Sequence, residues 1–419
     1  MGSGYAEILR ARHAARLLTG TLVGRLPNAT AAIAIVLFTR AEGGTYSLAG
    51  ALAAVYGVAN AVGQPLLGRL VDLHGQPRVQ LPAALASALG AVVFAAVGLQ
   101  PLPVAYAAVG VAGLFTPPLE GGLRALWPSI LPREGQVHVA YAMDAVAQEV
   151  MFTVGPLLVT VCAALWSPGW ALVVLNAVGV LGALSVVVSP PSRAWRSAPR
   201  EAHWLGALRS RGLLVLLGAF LFVGTALGSI TVAAISYADG RGGDAVYGWL
   251  MAALGLGALV GGAVYGARRW AGAPEPRLRV LVLLLAVGYA PLPLMPGPAG
   301  MVALAAVAGV FLAPAVACAF LVVDRHAPRG TVTEAFSWLV TTFTVGASLG
   351  TAVAGPVVEW GGARWGFAVP VASGVAAAAV LLVAGRVLRV PPAGPRAATT
   401  AENDRNPLAP PGFSTGRQA

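Results

Sequence analysis

The sequence contains no lysine, little charge of either sign and only two cysteines. A P-loop needs a lysine to bind nucleotide phosphates, so this chain cannot hydrolyse ATP with a P-loop of its own. Cys162 and Cys318 both lie in apolar segments, which gives neither a disulfide framework nor the spacing of a metal site. Histidine and serine motifs of hydrolases are also missing. We therefore predict that the protein is not an enzyme and has no metal or cofactor.

Apolar residues make up 57% of the chain and charged residues 10%, a balance typical of membrane proteins. Twelve apolar runs lie between residues 18 and 387, each about as long as a helix needs to cross a bilayer. The fourth run is 102–124, and the last two are 333–358 and 364–387. The runs do not alternate as the strands of a β-barrel do. We predict an all-α membrane protein with twelve transmembrane helices.

The formal net charge of +11 comes from 27 arginines, whose distribution is one-sided. Threading twelve helices places 23 arginines on the side of the two termini, with Arg40, Arg241 and Arg364 opposite and Arg25 inside the first helix. The positive-inside rule then predicts cytoplasmic termini and contact with anionic lipid, and it makes nucleic-acid binding improbable. The first helix is too long for a cleavable signal. Arginine, alanine, glycine and valine usage suggests a GC-rich bacterium and thus a bacterial plasma membrane.

Three short repeats indicate two related halves. The sequence VYG occurs at Val55–Gly57 and Val246–Gly248, and FTVG occurs at Phe152–Gly155 and Phe343–Gly346. A third pair joins VAGLFTPP at 111–118 to VAGVFLAP at 307–314. The predicted organisation is a cytoplasmic N-terminal tail (1–17), a six-helix bundle (18–189), a cytoplasmic linker (190–211), a second six-helix bundle (212–389) and a disordered cytoplasmic tail (390–419). Such parallel repeats are common in secondary transporters.

The loop GRLVDLHGQPRV after the second helix resembles the signature loop of the major facilitator superfamily. The matching positions are Gly68, Leu70, Asp72, Gly75 and Arg78. The resemblance implies a major facilitator fold in which Asp72 caps a neighbouring helix and pairs with an arginine to close the cytoplasmic side. Arg69, Arg78 and Arg124 are the candidate partners. The alternative is that Asp72 is a solvated loop acid.

Few charges lie within the predicted membrane spans, and each needs a partner, a water-filled cavity or a function. They are Arg25, Glu120, Asp144 and Glu149. Glu120 and Arg124 are four residues apart and are expected to pair locally. Glu149 or Asp144 is predicted to bind and release the coupling proton. The alternative is a structural ion pair of Arg25 with one of these acids.

Polar residues at helical spacing indicate a substrate cavity within the apolar spans. A stripe on the eleventh helix, one pair on each of the second and seventh helices and a single asparagine on the first make up the predicted lining. It consists of Asn28, Asn60, Gln64, Thr225, Ser229, Ser337, Thr341, Thr344 and Ser348. Serine and threonine also pack between membrane helices, which is the alternative for each of them.

These features predict a secondary active transporter driven by the proton gradient. The expected activity is efflux, by proton antiport, of a small amphipathic compound such as an antibiotic or secondary metabolite. Its expected partners are that compound, protons and membrane lipid, and a monomer is sufficient. Efflux follows from the family resemblance and from the lack of charged clusters of the kind that bind sugars. An importer or symporter of a small nutrient on the same fold is the alternative.

Overall fold

The computed structural model describes residues 3–131, 133–199, 205–239, 241, 243–268 and 270–388. Part of the predicted linker, 200–204, and the predicted C-terminal tail, 390–419, lie outside the described residues. The described part of the chain is nearly all helical and contains no strand.

Fifteen α-helices are described, numbered in chain order. They are α1 (Ser3–Arg10), α2 (Ala14–Ala41), α3 (Tyr46–His74), α4 (Gln76–Val97), α5 (Leu102–Leu114), α6 (Leu119–Ile130), α7 (Glu134–Leu165), α8 (Pro168–Val187), α9 (Pro190–Ala194), α10 (Arg211–Asp239), α11 (Asp244–Ala267), α12 (Pro274–Tyr289), α13 (Pro298–Gly309), α14 (Leu312–His326) and α15 (Val332–Val383).

Ten described segments are long and apolar enough to cross a membrane, which makes this a multi-pass membrane protein. Two of these spans contain a break, between α5 and α6 and between α13 and α14. The 52 residues of α15 would extend about 78 Å as one straight helix, but Gly362 has non-helical dihedral angles and divides it into two spans. Dividing α15 in two adds one span to the ten. Counting the 32-residue α7, which carries acids in its interior, adds another and gives twelve.

The three sequence repeats fall at matching places in the two halves. VYG lies in α3 and again in α11, while FTVG lies in α7 and again in α15. The third repeat coincides with the breaks, because α5 ends at Leu114 and α13 ends at Gly309. The fourth span of each half is therefore interrupted by the same residue pattern.

Glycines bring membrane helices into backbone contact where no hydrophobic effect drives association. A Cβ on Gly224 of α10 would meet the backbone of Phe343 in α15, and a Cβ on Gly350 of α15 would meet the backbone of Thr225 in α10. Gly346 makes the same kind of approach to α10. Gly224, Gly346 and Gly350 thus allow the close packing of α10 against α15.

The two halves meet at the end of the molecule where the arginine distribution predicts the cytoplasm, called here the closed end. Two contacts mark the extent of the seam between α3 and α15. At one end, Asp72 of α3 accepts a hydrogen bond from the amide of Thr333 in α15. At the other end, the hydroxyl of Thr341 in α15 lies 3.5 Å from the carbonyl oxygen of Ala61 in α3. The eleven helical steps from Ala61 to Asp72 span about 16 Å. The seam is therefore closed to a depth of about half the bilayer core.

A second seam joins α7 to α11 at the same end. Gly262 and Gly266 of α11 accommodate Val146 and Ala142 of α7. Tyr5 of α1 lies across this seam and donates a hydrogen bond to the carbonyl of Ala263 over 3.1 Å. The short first helix thus contacts the second half as well as the first.

Candidate transport site

Four charged side chains form one buried ion network in the first half. Arg25 of α2 contacts Glu120 of α6 at 2.7 Å and Asp144 of α7 at 3.5 Å. Arg124 of α6 contacts Asp144 at 2.6 Å and Glu120 at 3.3 Å. Each carboxylate is therefore shared by two guanidinium groups, and the four formal charges sum to zero. This network is called the ion cluster below.

Burial explains why the ion cluster has to be balanced. Arg124 and Asp144 have no exposed side-chain surface, and Arg25 and Glu120 have 8% and 14%. Removing one charge from such a group leaves another uncompensated in a low-dielectric interior, which is costly. Of the four members, Glu120 is the most accessible.

The ion cluster differs from the sequence-based expectation for Glu120 and Arg124. Their local pair is present, but Glu120 makes its shorter contact with Arg25, and Arg124 makes its shorter contact with Asp144. The span that was expected to end at residue 124 continues as α6 to Ile130, so Arg124 lies inside the bundle and not in a cytoplasmic loop. Arg124 is thus engaged within the first half and not as the partner of Asp72.

An aromatic box with two rings from the second half and one from the first covers the ion cluster. The guanidinium carbon of Arg124 lies 3.7 Å from the ring centroid of Phe320 in α14 and 5.8 Å from that of Phe336 in α15. Its Nη1 atom is buried without a hydrogen-bond partner among the described residues. Tyr141 of α7 completes the box, with its ring centroid 6.0 Å from that of Phe320. A cation of one half therefore rests on aromatic rings of the other.

Glu149 lies on a different face of α7 from Asp144. Five residues at 100° per residue separate the two side chains by about 140° and by about 7.5 Å along the axis. Glu149 is half-buried, whereas Asp144 is fully buried. The two acids thus have distinct surroundings, as their spacing predicts.

A second polar group, which carries no charge, lies among α2, α3 and the break before α6. Asn28 accepts hydrogen bonds from Tyr56 at 3.3 Å and from Asn60 at 3.2 Å. Tyr56 also contacts the hydroxyl of Thr116 at 3.1 Å, and Gln64 donates to the carbonyl of Thr116 at 3.1 Å. These five residues are called the polar cluster below.

Thr116 was missed by the sequence analysis, although the Thr-Pro-Pro stretch in the repeated motif marks the helix break that frees its carbonyl. A carbonyl at a helix end has no partner within its own helix, and here the Gln64 amide supplies one. A helix break within an apolar span is the signal that would have drawn attention to this residue.

The remaining predicted cavity residues lie in three different environments. Thr344 and Ser348 are exposed on α15, with hydroxyls bonded to carbonyls four residues earlier. Thr225 is half-buried against Gly350. Ser229 and Ser337 are instead buried at helix contacts, with 0% and 2% exposure. In this closed conformation the latter two face packed protein.

The predicted gate residues surround the N-terminus of α15. The carboxylate of Asp72 accepts hydrogen bonds from the backbone amides of Thr333 at 3.1 Å and Glu334 at 2.9 Å, so it caps that helix. A Cβ on Gly68 would lie 2.6 Å from the Ser337 hydroxyl oxygen, and only glycine allows this approach.

Gly75 and Arg78 lie just beyond this contact. Gly75 ends α3 with a φ of 87°, a conformation that favours glycine. Arg78 is exposed on the first turn of α4.

The second half carries no equivalent of the ion cluster within the part of the chain that the structure describes. Its charged residues lie near helix ends or at the bend around Gly362. Buried charge at membrane depth is thus confined to one of two halves that otherwise follow the same plan.

Two halves of membrane-spanning helices with related sequence motifs and an interior polar site are the features of a helical membrane transporter. The family profile of the Major Facilitator Superfamily matches residues 17–333, and the chain belongs to this family. No curated protein sequence matches the chain.

Solved structures of other family members share the fold. The human organic anion transporter MFSD10 has a TM-score of 0.65 and 18% identity, over 88% of this chain and 99% of that one. A bacterial homologue of the iron transporter ferroportin, in an outward-facing state, has a TM-score of 0.68 and 15% identity, over 89% and 99%. The fucose:proton symporter of E. coli has a TM-score of 0.66 and 14% identity, over 90% and 98%.

Proposed function

We propose that this protein is a proton-coupled exporter of a small amphipathic compound, such as an antibiotic or another secondary metabolite. It works by alternating access in a bacterial plasma membrane, with both termini in the cytoplasm. The proton gradient is its energy source, and a monomer is sufficient.

The observation that carries this proposal is the confinement of membrane-depth charge to the first half. Intramembrane charge costs at least about 2.5 to 3.5 kcal/mol per residue, so it is retained where it has a task. A purely structural need would apply equally to both halves, since they share their helix plan and their break in the fourth span. Proton coupling is a task that requires acids in only one of them.

Asp144 and Glu149 have different surroundings, which support different roles for the two acids. Asp144 lies between Arg124 and Arg25, which stabilise its carboxylate, and a proton there would leave the buried ion cluster with excess positive charge. Glu149 lies on the other face of α7 and is half-buried. We therefore assign the transported proton to Glu149 and a positioning role to Asp144, Arg25, Glu120 and Arg124.

The polar cluster supports a neutral or weakly polar cargo. Its amide, phenol and hydroxyl groups can donate and accept hydrogen bonds but carry no charge. One of its members, Tyr56, also lines a mainly apolar cavity. Such a site suits an amphipathic molecule better than a sugar acid or a phosphate ester. The E. coli fucose:proton symporter is a precedent for proton coupling on this fold.

The test is uptake of a fluorescent amphiphile into inverted membrane vesicles whose interior is made acid. Antiport predicts accumulation inside, and a gradient of two pH units sustains at most about a hundredfold accumulation per proton exchanged. Glu149→Gln is expected to abolish gradient-driven accumulation while exchange of labelled for unlabelled amphiphile continues. Glu359→Gln, which neutralises an exposed acid in the second half, is the matched control and is expected to retain accumulation.

Two results would contradict the proposal. Full gradient-driven transport by Glu149→Gln would remove the proton assignment. Accumulation only when the vesicle exterior is acid would show symport and therefore import. Asp144→Asn separates the two roles, because it is expected to reduce the yield of folded protein, which Glu149→Gln leaves unchanged.

A further inference from the structure

A basic cleft lies at the closed end of the first half, away from the ion cluster. It has a volume of about 480 Å³ and is formed by the turn between α1 and α2, the end of α6 and the chain from α9 to Arg196. Its polar lining includes Arg12, His13 and Arg196, with Trp195 as the one aromatic residue. Three separate segments thus enclose one basic space.

Among the described residues that line the basic cleft, none is acidic, so none of them compensates its positive charge. The neighbouring stretch 189–199 contains Arg193 and Arg196 but no aspartate or glutamate. Arg12 is exposed and makes no hydrogen bond or ion pair with the described residues. An anion entering the cleft would meet arginine, with no competing carboxylate among the described lining residues.

The guanidinium of Arg196 is held in place by its own chain. Its Nη1 donates to the carbonyl of Arg193 at 2.9 Å and to that of Trp195 at 2.7 Å. An arginine has five N–H donors, so the remaining ones are available to a ligand. Fixing the group in advance lowers the entropic cost of binding.

His13 adds to this arrangement at the start of α2. It adopts a φ of 71°, a left-handed conformation uncommon for a residue other than glycine, and its side chain makes no capping hydrogen bond. No side chain therefore caps the start of α2, where the amide of Ala14 donates to the carbonyl of Ala11 at 3.1 Å. The N-terminal end of α2 adds partial positive charge to that of the two arginines.

We propose that the basic cleft binds a phosphate group, from the headgroup of an anionic lipid or from a free phosphate-bearing solute. Paired arginines bind phosphate oxygens through several N–H groups, and Trp195 places an amphipathic ring beside them, as tryptophan does at membrane interfaces. This site is separate from the proposed transport pathway.

The experiment uses the purified full-length protein and two probes. In the first arm, the protein in detergent without lipid is titrated with inorganic phosphate by calorimetry. In the second arm, it is placed in nanodiscs of phosphatidylcholine with or without phosphatidylglycerol, and lipid retention is measured by native mass spectrometry. The test variant is Arg12→Gln with Arg196→Gln. Arg10→Gln, at an exposed arginine of the same tail outside the cleft, is the matched control.

Each arginine near an anionic surface contributes about fivefold to binding, so the double variant is expected to bind about 25-fold more weakly. Arg12→Lys with Arg196→Lys keeps the charge and is expected to retain most of the binding. Loss in the lipid arm alone identifies the headgroup as the source, and loss in the phosphate arm alone identifies a free solute. The proposal is overturned if neither probe binds, or if the double variant and Arg10→Gln bind both probes equally.

Discussion

The contact between Arg124 and the ring of Phe320 is predicted to hold the closed end together. Phe320→Leu removes the aromatic face and keeps a buried apolar side chain of similar bulk. The 3.7 Å separation and the complete burial of Arg124 place this contact among desolvated cation–π pairs, worth about 2 kcal/mol. Because the contact joins the two halves, its loss acts on the balance between closed-end and open-end conformations. That balance is expected to shift about 30-fold toward opening.

The shift can be measured as a distance distribution between spin labels at Leu73 and Arg329, which are exposed on either side of the closed end. The labels require a background in which Cys162 and Cys318 are replaced by alanine. Phe320→Leu is expected to increase the long-distance population in this background.

Two variants identify the cause of such a shift. Phe320→Tyr keeps the ring and is expected to keep the distribution of the parent. Phe94→Leu is the matched control, because Phe94 is a phenylalanine of equal burial that packs against Phe38 within the first half. The reasoning is refuted if Phe320→Leu leaves the distribution unchanged, or if Phe94→Leu shifts it as far.

Three further substitutions test the packing of α15. Gly68→Ala is expected to open the closed end, because the new methyl group would collide with α15. The control is Gly57→Ala, whose methyl group would meet no atom within 4 Å and which should behave as the parent. The spin-label distance distribution is measured for both variants, and an equal distribution would contradict the prediction. Asp72→Ala removes the cap at the start of α15 and is expected to weaken the closed state by about 1 kcal/mol, or about fivefold, in that assay. An unchanged distribution would mean that the cap is not part of the gate. Gly350→Ala is expected to lower the free energy of unfolding by about 1 to 3 kcal/mol, because the added methyl group overpacks the contact with α10. It should therefore lower the temperature at which the detergent-solubilised protein loses monodispersity. Gly355→Ala on the same helix has open space around it, and an equal loss for both would refute the packing argument.

The sequence was sufficient to predict the helical membrane class and the repeat relation between the halves. Apolar runs report membrane spans directly, since each span must satisfy its own backbone hydrogen bonds. The expected gap between residues 358 and 364 falls on the bend at Gly362. Capping of a neighbouring helix by Asp72, implied by the family resemblance, agrees with the geometry.

The candidate site was less accessible to sequence reasoning because its partners come from different helices. The fourth span was expected to end near Arg124, since the apolar pattern is interrupted there by charge. The helix continues because Arg25 and Asp144, from α2 and α7, neutralise Glu120 and Arg124. No local pattern in the sequence reports this compensation. The approach of Phe320 to Arg124 is equally a property of the assembled halves.

The breaks in the two fourth spans bear on how the closed end could open. Arg124 lies on α6 and Phe320 on α14, and each of these short helices begins just after its break. Loss of regular backbone hydrogen bonds at these points gives each short helix a pivot near mid-membrane. The inner segments would then tilt apart by bending there, while α5 keeps its backbone contact with α3 and α13 keeps its contact with α11.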